Sequence, residues 1–274
     1  MPIFIAKGEI MKKLLGKTLG LLALSLAITA CGAKKDEKPA TETKTEISAS
    51  HPKDELILGI GSEPEKGFDP IHEASHSSSL IFHSSLLKRD LDLNIVNDLA
   101  DAYKISDDKL TYTVTLKDDL KFSDGSPLTA DDVIFSYTKA KEENTAGINL
   151  TRFVKAEKVD DKALNLILEK PDISFTTTMA SLGIVSKDKY KAGYGENPLG
   201  SGPFKLVEWK KGQEMIVEPN QYYYGDAVPF KKVTFIFFKD DDTALATAKE
   251  GLCDIIRIPY TAKMASILQA LLLA

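Results

Sequence analysis

The stretch Leu116 to Ala140, LKDDLKFSDGSPLTADDVIFSYTKA, constrains the fold more tightly than any other part of the chain. Leading into it, Tyr112, Val114 and Leu116 alternate with polar residues, the period of a half-buried strand. Ser123-Asp124-Gly125-Ser126-Pro127 is a dense turn signal. Thr129 suits a helix N-cap, and Asp131 and Asp132 put negative charge in the first turn, where the macrodipole favours it. Val133, Ile134 and Tyr137 supply an apolar helical face, with Phe135 beside it. Strand, tight turn and capped helix predict a compact α+β unit, and no chemistry is visible within it.

These residues also resemble the signature region of family 5 bacterial extracellular solute-binding proteins. The matching pattern is Ala100, Asp108, Thr111-Tyr112-Thr113-Val114-Thr115-Leu116-Lys117 and Asp119, continued by KFSDGSPLTADDVIFSY. Further along, GSGPFKLVEW from Gly200, Asn220 with the tyrosines before Gly225, and Gly251-x-x-Asp254-Ile255 follow the family order. The resemblance covers nearly all of residues 55–268. It implies an α/β fold: a type II periplasmic-binding-protein-like lobe with an α+β satellite subdomain. Residues 55–90 and 187–274 would form lobe one, and 91–186 the satellite. Family members continue through a second lobe and back into the first. This product is therefore expected to be C-terminally truncated, with the second lobe largely missing and lobe one incomplete. The apolar run Ile267–Ala274 ends it without a cap.

The function implied by the resemblance is the substrate-binding component of an ABC importer. It would capture a peptide, or nickel or another metal chelate, between two lobes by hinge closure and deliver it to the permease subunits. The expectation is a monomer that is not an enzyme and needs no cofactor. The net charge of −5 gives no reason to propose a nucleic-acid partner, and 43% hydrophobic residues allow a sizeable core.

The N-terminus reads as an export signal. Lys12, Lys13 and Lys17 form a basic region, Leu19 to Leu26 an apolar one, and Ile28-Thr29-Ala30-Cys31 resembles a lipobox. In bacterial lipoproteins such a cysteine carries the lipid and becomes the mature N-terminus. Cys31 is thus the expected lipidation site, placing the protein at the outer face of the cytoplasmic membrane or in the periplasm. Residues 1–31 are read as an extra N-terminus plus signal peptide, with Met11 as the expected start. Residues 32–54 are poor in groups to bury and are expected to be a flexible tether. Cys253 is left alone in an apolar run, where a small buried hydrophobe is expected.

Ligand contact is expected in the loop after the first strand, because ligands of open α/β sheets bind beyond the carboxyl ends of strands. Ser62, Glu63, Phe68, Asp69 and His72 are the residues selected, and a surface acid or turn acid is the bland alternative for Glu63 and Asp69. His72-Glu73-Ala74-Ser75-His76 matches H-E-x-x-H, the helical spacing of a zinc hydrolase. Pro70 lies just before it, and the extended pattern fails at Ser79 and Phe82. The zinc hydrolase is therefore an alternative reading, as is a non-functional exported fragment. A softer metal reading groups His72, His76 and His83, since imidazole suits nickel, against polar, partly exposed histidines in a first helix. Ser77 to Leu87 is read as the first helix. Tyr222, Tyr223 and Tyr224 are read as packing residues.

Overall fold

The computed structural model describes residues 2–6, 54–61, 63–65, 67–72 and 81–259. Cys31, nearly all of the expected tether, Ser62, Glu73, His76 and the run Ile267–Ala274 lie outside the described residues. The strands are β1 (Pro2–Ala6), β2 (Glu55–Ile60), β3 (Leu87–Arg89), β4 (Ile95–Asn97), β5 (Ala100–Ile105), β6 (Thr111–Leu116), β7 (Phe153–Lys158), β8 (Ala163–Leu168), β9 (Phe204–Lys210), β10 (Glu214–Pro219), β11 (Lys232–Phe237) and β12 (Ile255–Pro259). The helices are α1 (Ala130–Glu142), α2 (Phe175–Met179) and α3 (Asp241–Lys249). The chain divides into two compact units. One takes in Met1–Pro52, Ile57–Gly61 and Phe238–Ala274, and the other Lys53–Leu56 and Ser62–Phe237.

In the second unit, β5, β6, β8 and β7 form an antiparallel sheet in that order. The alternation of β6 buries Tyr112, Val114 and Leu116, and that of β8 buries Leu164, Leu166 and Leu168. α1 lays Val133, Tyr137 and Ala140 onto this core, where Tyr137, Phe153 and Phe175 gather their rings. Each large side chain buried here contributes about 1.5–3 kcal/mol. α1 starts where Thr129 donates its N–H and its hydroxyl to the Asp132 carboxylate, at 2.9 and 3.2 Å. It stops at Asn144, whose φ of 50° is the left-handed geometry of a helix end. The predicted turn is present: Gly125 N–H donates to the Phe122 carbonyl, and Asp124 accepts the Ser126 N–H, both at 2.9 Å.

The same unit holds β9, β10 and β11, paired antiparallel, with a bulge at Ile216/Val217. Lys210 to Gln213 turns the first hairpin, as its Lys-Lys-Gly sequence predicts. β3 and β4 make a short hairpin that periodicity did not reveal, because each contributes only three residues. The expected helix over Ser77 to Leu87 is described only from residue 81. There Ile81 is in 3-10 conformation, and the chain is irregular from Phe82 to Leu86 and enters β3 at Leu87. The physical reason is burial on every side: residues 82 to 87 are all buried, which leaves no solvent face for an amphipathic helix. The expected boundaries at 90/91 and 186/187 both fall inside this unit.

In the first unit, β12 runs parallel to β2 and antiparallel to β1, the latter upstream of the expected start at Met11. Asp254 accepts the Ile57 N–H at 2.9 Å, and its own N–H donates to the Ile57 carbonyl. α3 packs Ala244 and Leu245 against Ile256. It is capped by Asp240, which accepts the Thr243 N–H at 2.7 Å. Cys253 is buried, as its apolar setting predicts.

Candidate functional site

The polar side of α1 organises the site. Asp132 also accepts the Lys187 N–H at 2.9 Å, and Ser136 accepts the Val185 N–H at 3.0 Å. These bonds hold the segment after Val185 along the helix, so Tyr190 stands edge-on to Phe135 and beside Tyr194. On the other side comes the loop after β2. Its Phe68 N–H donates to the Gly195 carbonyl at 2.8 Å. The approach requires glycine at position 67, whose φ is +79° and where an added Cβ would lie 2.5 Å from the Gly195 oxygen.

Between these segments lies a cavity of about 280 Å³, lined by Glu65, Gly67, Asp69 and His72 of that loop, Lys139 and Glu143 of the end of α1, Tyr190 to Glu196, and Lys211. Asp69 sits at its floor, 3% exposed. One carboxylate oxygen accepts the Ile71 N–H, and the other accepts the Tyr190 hydroxyl, both at 2.9 Å. Burial, reinforced by the Asp69 charge, holds the Tyr190 phenol well above its usual range. His72 is half exposed, its Nε2 3.9 Å from Asp69. At the rim Lys139 pairs with Glu143 at 2.7 Å and Lys211 with Glu196 at 2.5 Å. Each lysine's hydrogen bond and charge hold its glutamate below the usual carboxylate range. Among the described residues, Glu65 and Lys191 have no ion pair. A shallower groove of about 350 Å³ adjoins through Glu196 and Lys211 and is lined by Leu199, Leu206, Val207 and Trp209.

The residues selected from the sequence separate here. Asp69 and His72 line the cavity. The Glu63 carboxylate instead accepts Trp209 Nε1–H at 2.8 Å and the Gly212 N–H at 2.7 Å, holding the β9–β10 hairpin. Phe68 is 1% exposed and packs edge-on against Phe82 and Trp209, which makes it core. His83 is 1% exposed. The single proton of Tyr194 is donated to the Leu199 carbonyl, so the phenol oxygen accepts His83 Nε2–H at 2.9 Å. That nitrogen is not free to ligate. Among the described residues, no three His, Cys, Asp or Glu side chains converge to hold a metal ion. Tyr190, Lys191 and Lys139 were not selected from the sequence. The one local signal was the pair Tyr190 and Tyr194 in a glycine-containing stretch, KYKAGYGE.

The model of bacterial extracellular solute-binding proteins, family 5 Middle, matches residues 94–271. The chain belongs to the family 5 bacterial extracellular solute-binding proteins. It is 29% identical over 260 residues to the oligopeptide-binding protein AppA of Bacillus subtilis, covering 88% of this chain and 47% of that protein. It is 30% identical over 226 residues to the probable D,D-dipeptide-binding periplasmic protein DdpA of Escherichia coli, covering 76% and 44%. Among solved structures, NikZ from Campylobacter jejuni in complex with Ni(L-His) matches with a TM-score of 0.74 and 28% identity, over 80% of this chain and 46% of that one. The fold is thus type II periplasmic-binding-protein-like, and the chain spans about half the length of the curated relatives it matches.

Proposed function

We propose that the chain belongs to the substrate-binding component of an ABC importer, which captures a small solute outside the cytoplasmic membrane and delivers it to the permease. The family supplies the class of activity, and the relatives named for oligopeptide, D,D-dipeptide and Ni(L-His) supply the range: a peptide or a metal chelate. The observation that carries this reading within the chain is the cavity floored by Asp69, since it joins the loop after β2 to two further segments around one buried polar group. Cys31 would carry the lipid that keeps the protein at the membrane. The zinc-hydrolase alternative on His72, Glu73 and His76 is not proposed, because the family is one of binding proteins. The direct test is uptake: disrupting the gene is expected to abolish import of one solute class, tested with labelled peptides and labelled nickel chelates. Unchanged uptake of both would overturn the reading.

A further inference from the structure

β1 precedes the export signal in the chain, and its partner β12 follows it. Pro2–Ala6 pairs antiparallel with Ile255–Pro259, from Pro2 opposite Pro259 to Ala6 opposite Ile255. The strand has local support. Ile3, Phe4 and Ile5 are residue types that favour strands, and Pro2 takes the first position, where a missing N–H is tolerated. On its other side β12 runs parallel to β2, with Ile255 opposite Leu58 and Ile256 opposite Gly59. β1 therefore covers the second edge of β12, and an uncovered edge is a template for pairing. Lys12, Lys13 and Lys17, just after β1, form the basic end of the signal, and basic flanks stay on the cytoplasmic side of the membrane. β12 belongs to the part of the chain that such a signal sends across. With the signal engaged, β1 and β12 lie on opposite sides of the membrane and cannot pair. After cleavage before Cys31, β1 is no longer part of the chain. The pairing is thus open only to a chain that has folded without being exported.

We propose that β1 is an autoinhibitory edge strand: its pairing with β12 retains a chain translated from Met1 in the cytoplasm, whereas a chain translated from Met11 lacks β1 and is free to leave. This rests on the reading of residues 12–31 as an export signal and goes beyond the transport role. Retention is a competition between folding and export. The two strands lie near opposite ends of the sequence, so they meet only when most of the chain has been made, and the contact acts on completed chains. Closing so long a loop costs little more entropy than closing one of half the length.

The test expresses three versions of the chain in a bacterium that processes lipoproteins. The first starts at Met1 and carries Met11→Leu, which blocks the internal start. The second adds Phe4→Pro and Ile5→Pro. Bonding alternates along an antiparallel strand, so between them the two prolines remove an N–H that faces β12, and the lysines of the signal are untouched. The third starts at Met11. Labelled palmitate and cell fractionation report lipid attachment and location. The first version is expected to accumulate in the cytoplasm without lipid, several-fold above the other two. Amide hydrogen exchange gives a direct readout on the first two versions made in a membrane-free cell-free reaction. Residues 255–259 are expected to exchange several-fold more slowly in the first than in the second. Equal lipidation of the first and third versions overturns the proposal and leaves the export signal and the solute-binding reading standing. Retention of the first that the prolines do not relieve also overturns it, as does exchange at 255–259 that they do not change. A third version that gains no lipid overturns the export reading of residues 12–31, and the proposal with it.

Discussion

Glu63 shows how much a single residue's partners matter. As an acid in a loop beyond a strand it had the credentials of a ligand contact, yet both its oxygens are taken by Trp209 and Gly212. Charged hydrogen bonds of this kind contribute about 1.5–3 kcal/mol each, so Glu63→Ala is expected to destabilise the chain by roughly 2–4 kcal/mol. Urea unfolding followed by the fluorescence of the single tryptophan, Trp209, measures this, with a shifted native emission as the accompanying sign. Phe68→Ala, which empties a site between Phe82 and Trp209, is expected to cost about 4 kcal/mol by the same assay. The sequence marked Glu63, Phe68 and Asp69 as one loop. Which of them faces a cavity depends on where β9 and Tyr190 come to lie, and both are more than a hundred positions away.

Among the elements, the turn and helix from Lys121 to Glu142 were legible, because their turn, capping and periodicity signals are local. Gly125 has φ +87°, and an added Cβ would stand 2.9 Å from the Tyr222 ring. Gly125→Ala is therefore expected to cost about 1–3 kcal/mol, read as a fall in the urea midpoint. Asp124 in the same turn has its pKa lowered from 3.8: partial burial would raise it, but bonds from the Ser126 hydroxyl and N–H outweigh that. A folded-state pKa below the unfolded one means stabilisation fully present above about pH 4 and lost as the pH falls through the folded value. Asp124→Asn is expected to remove this small contribution and flatten the stability profile between about pH 5 and about pH 2, a change of less than about 1 kcal/mol given its solvent exposure. An unaltered profile would contradict the assignment. Reading failed at β3 and β4, and at residues 82 to 87, for a shared reason. Three-residue strands are too short to show a period, and a run buried on all sides has none to show.

For the whole molecule, membrane attachment is the quantity to measure. Cys31→Ser is expected to abolish incorporation of labelled palmitate and release the protein from the membrane fraction, whereas retained attachment would remove Cys31 from the proposal. The sequence by itself determined the family, the order of most strands and the capped helix α1. These follow from patterns within a few residues of one another, or from a resemblance carried by such patterns. Only the tertiary structure decided that Asp69 floors a cavity with Tyr190, that Glu63 and Phe68 hold the fold instead, and that His83 is engaged by Tyr194. The reason is that burial and hydrogen-bond partnership depend on residues distant in the chain, which no local pattern encodes.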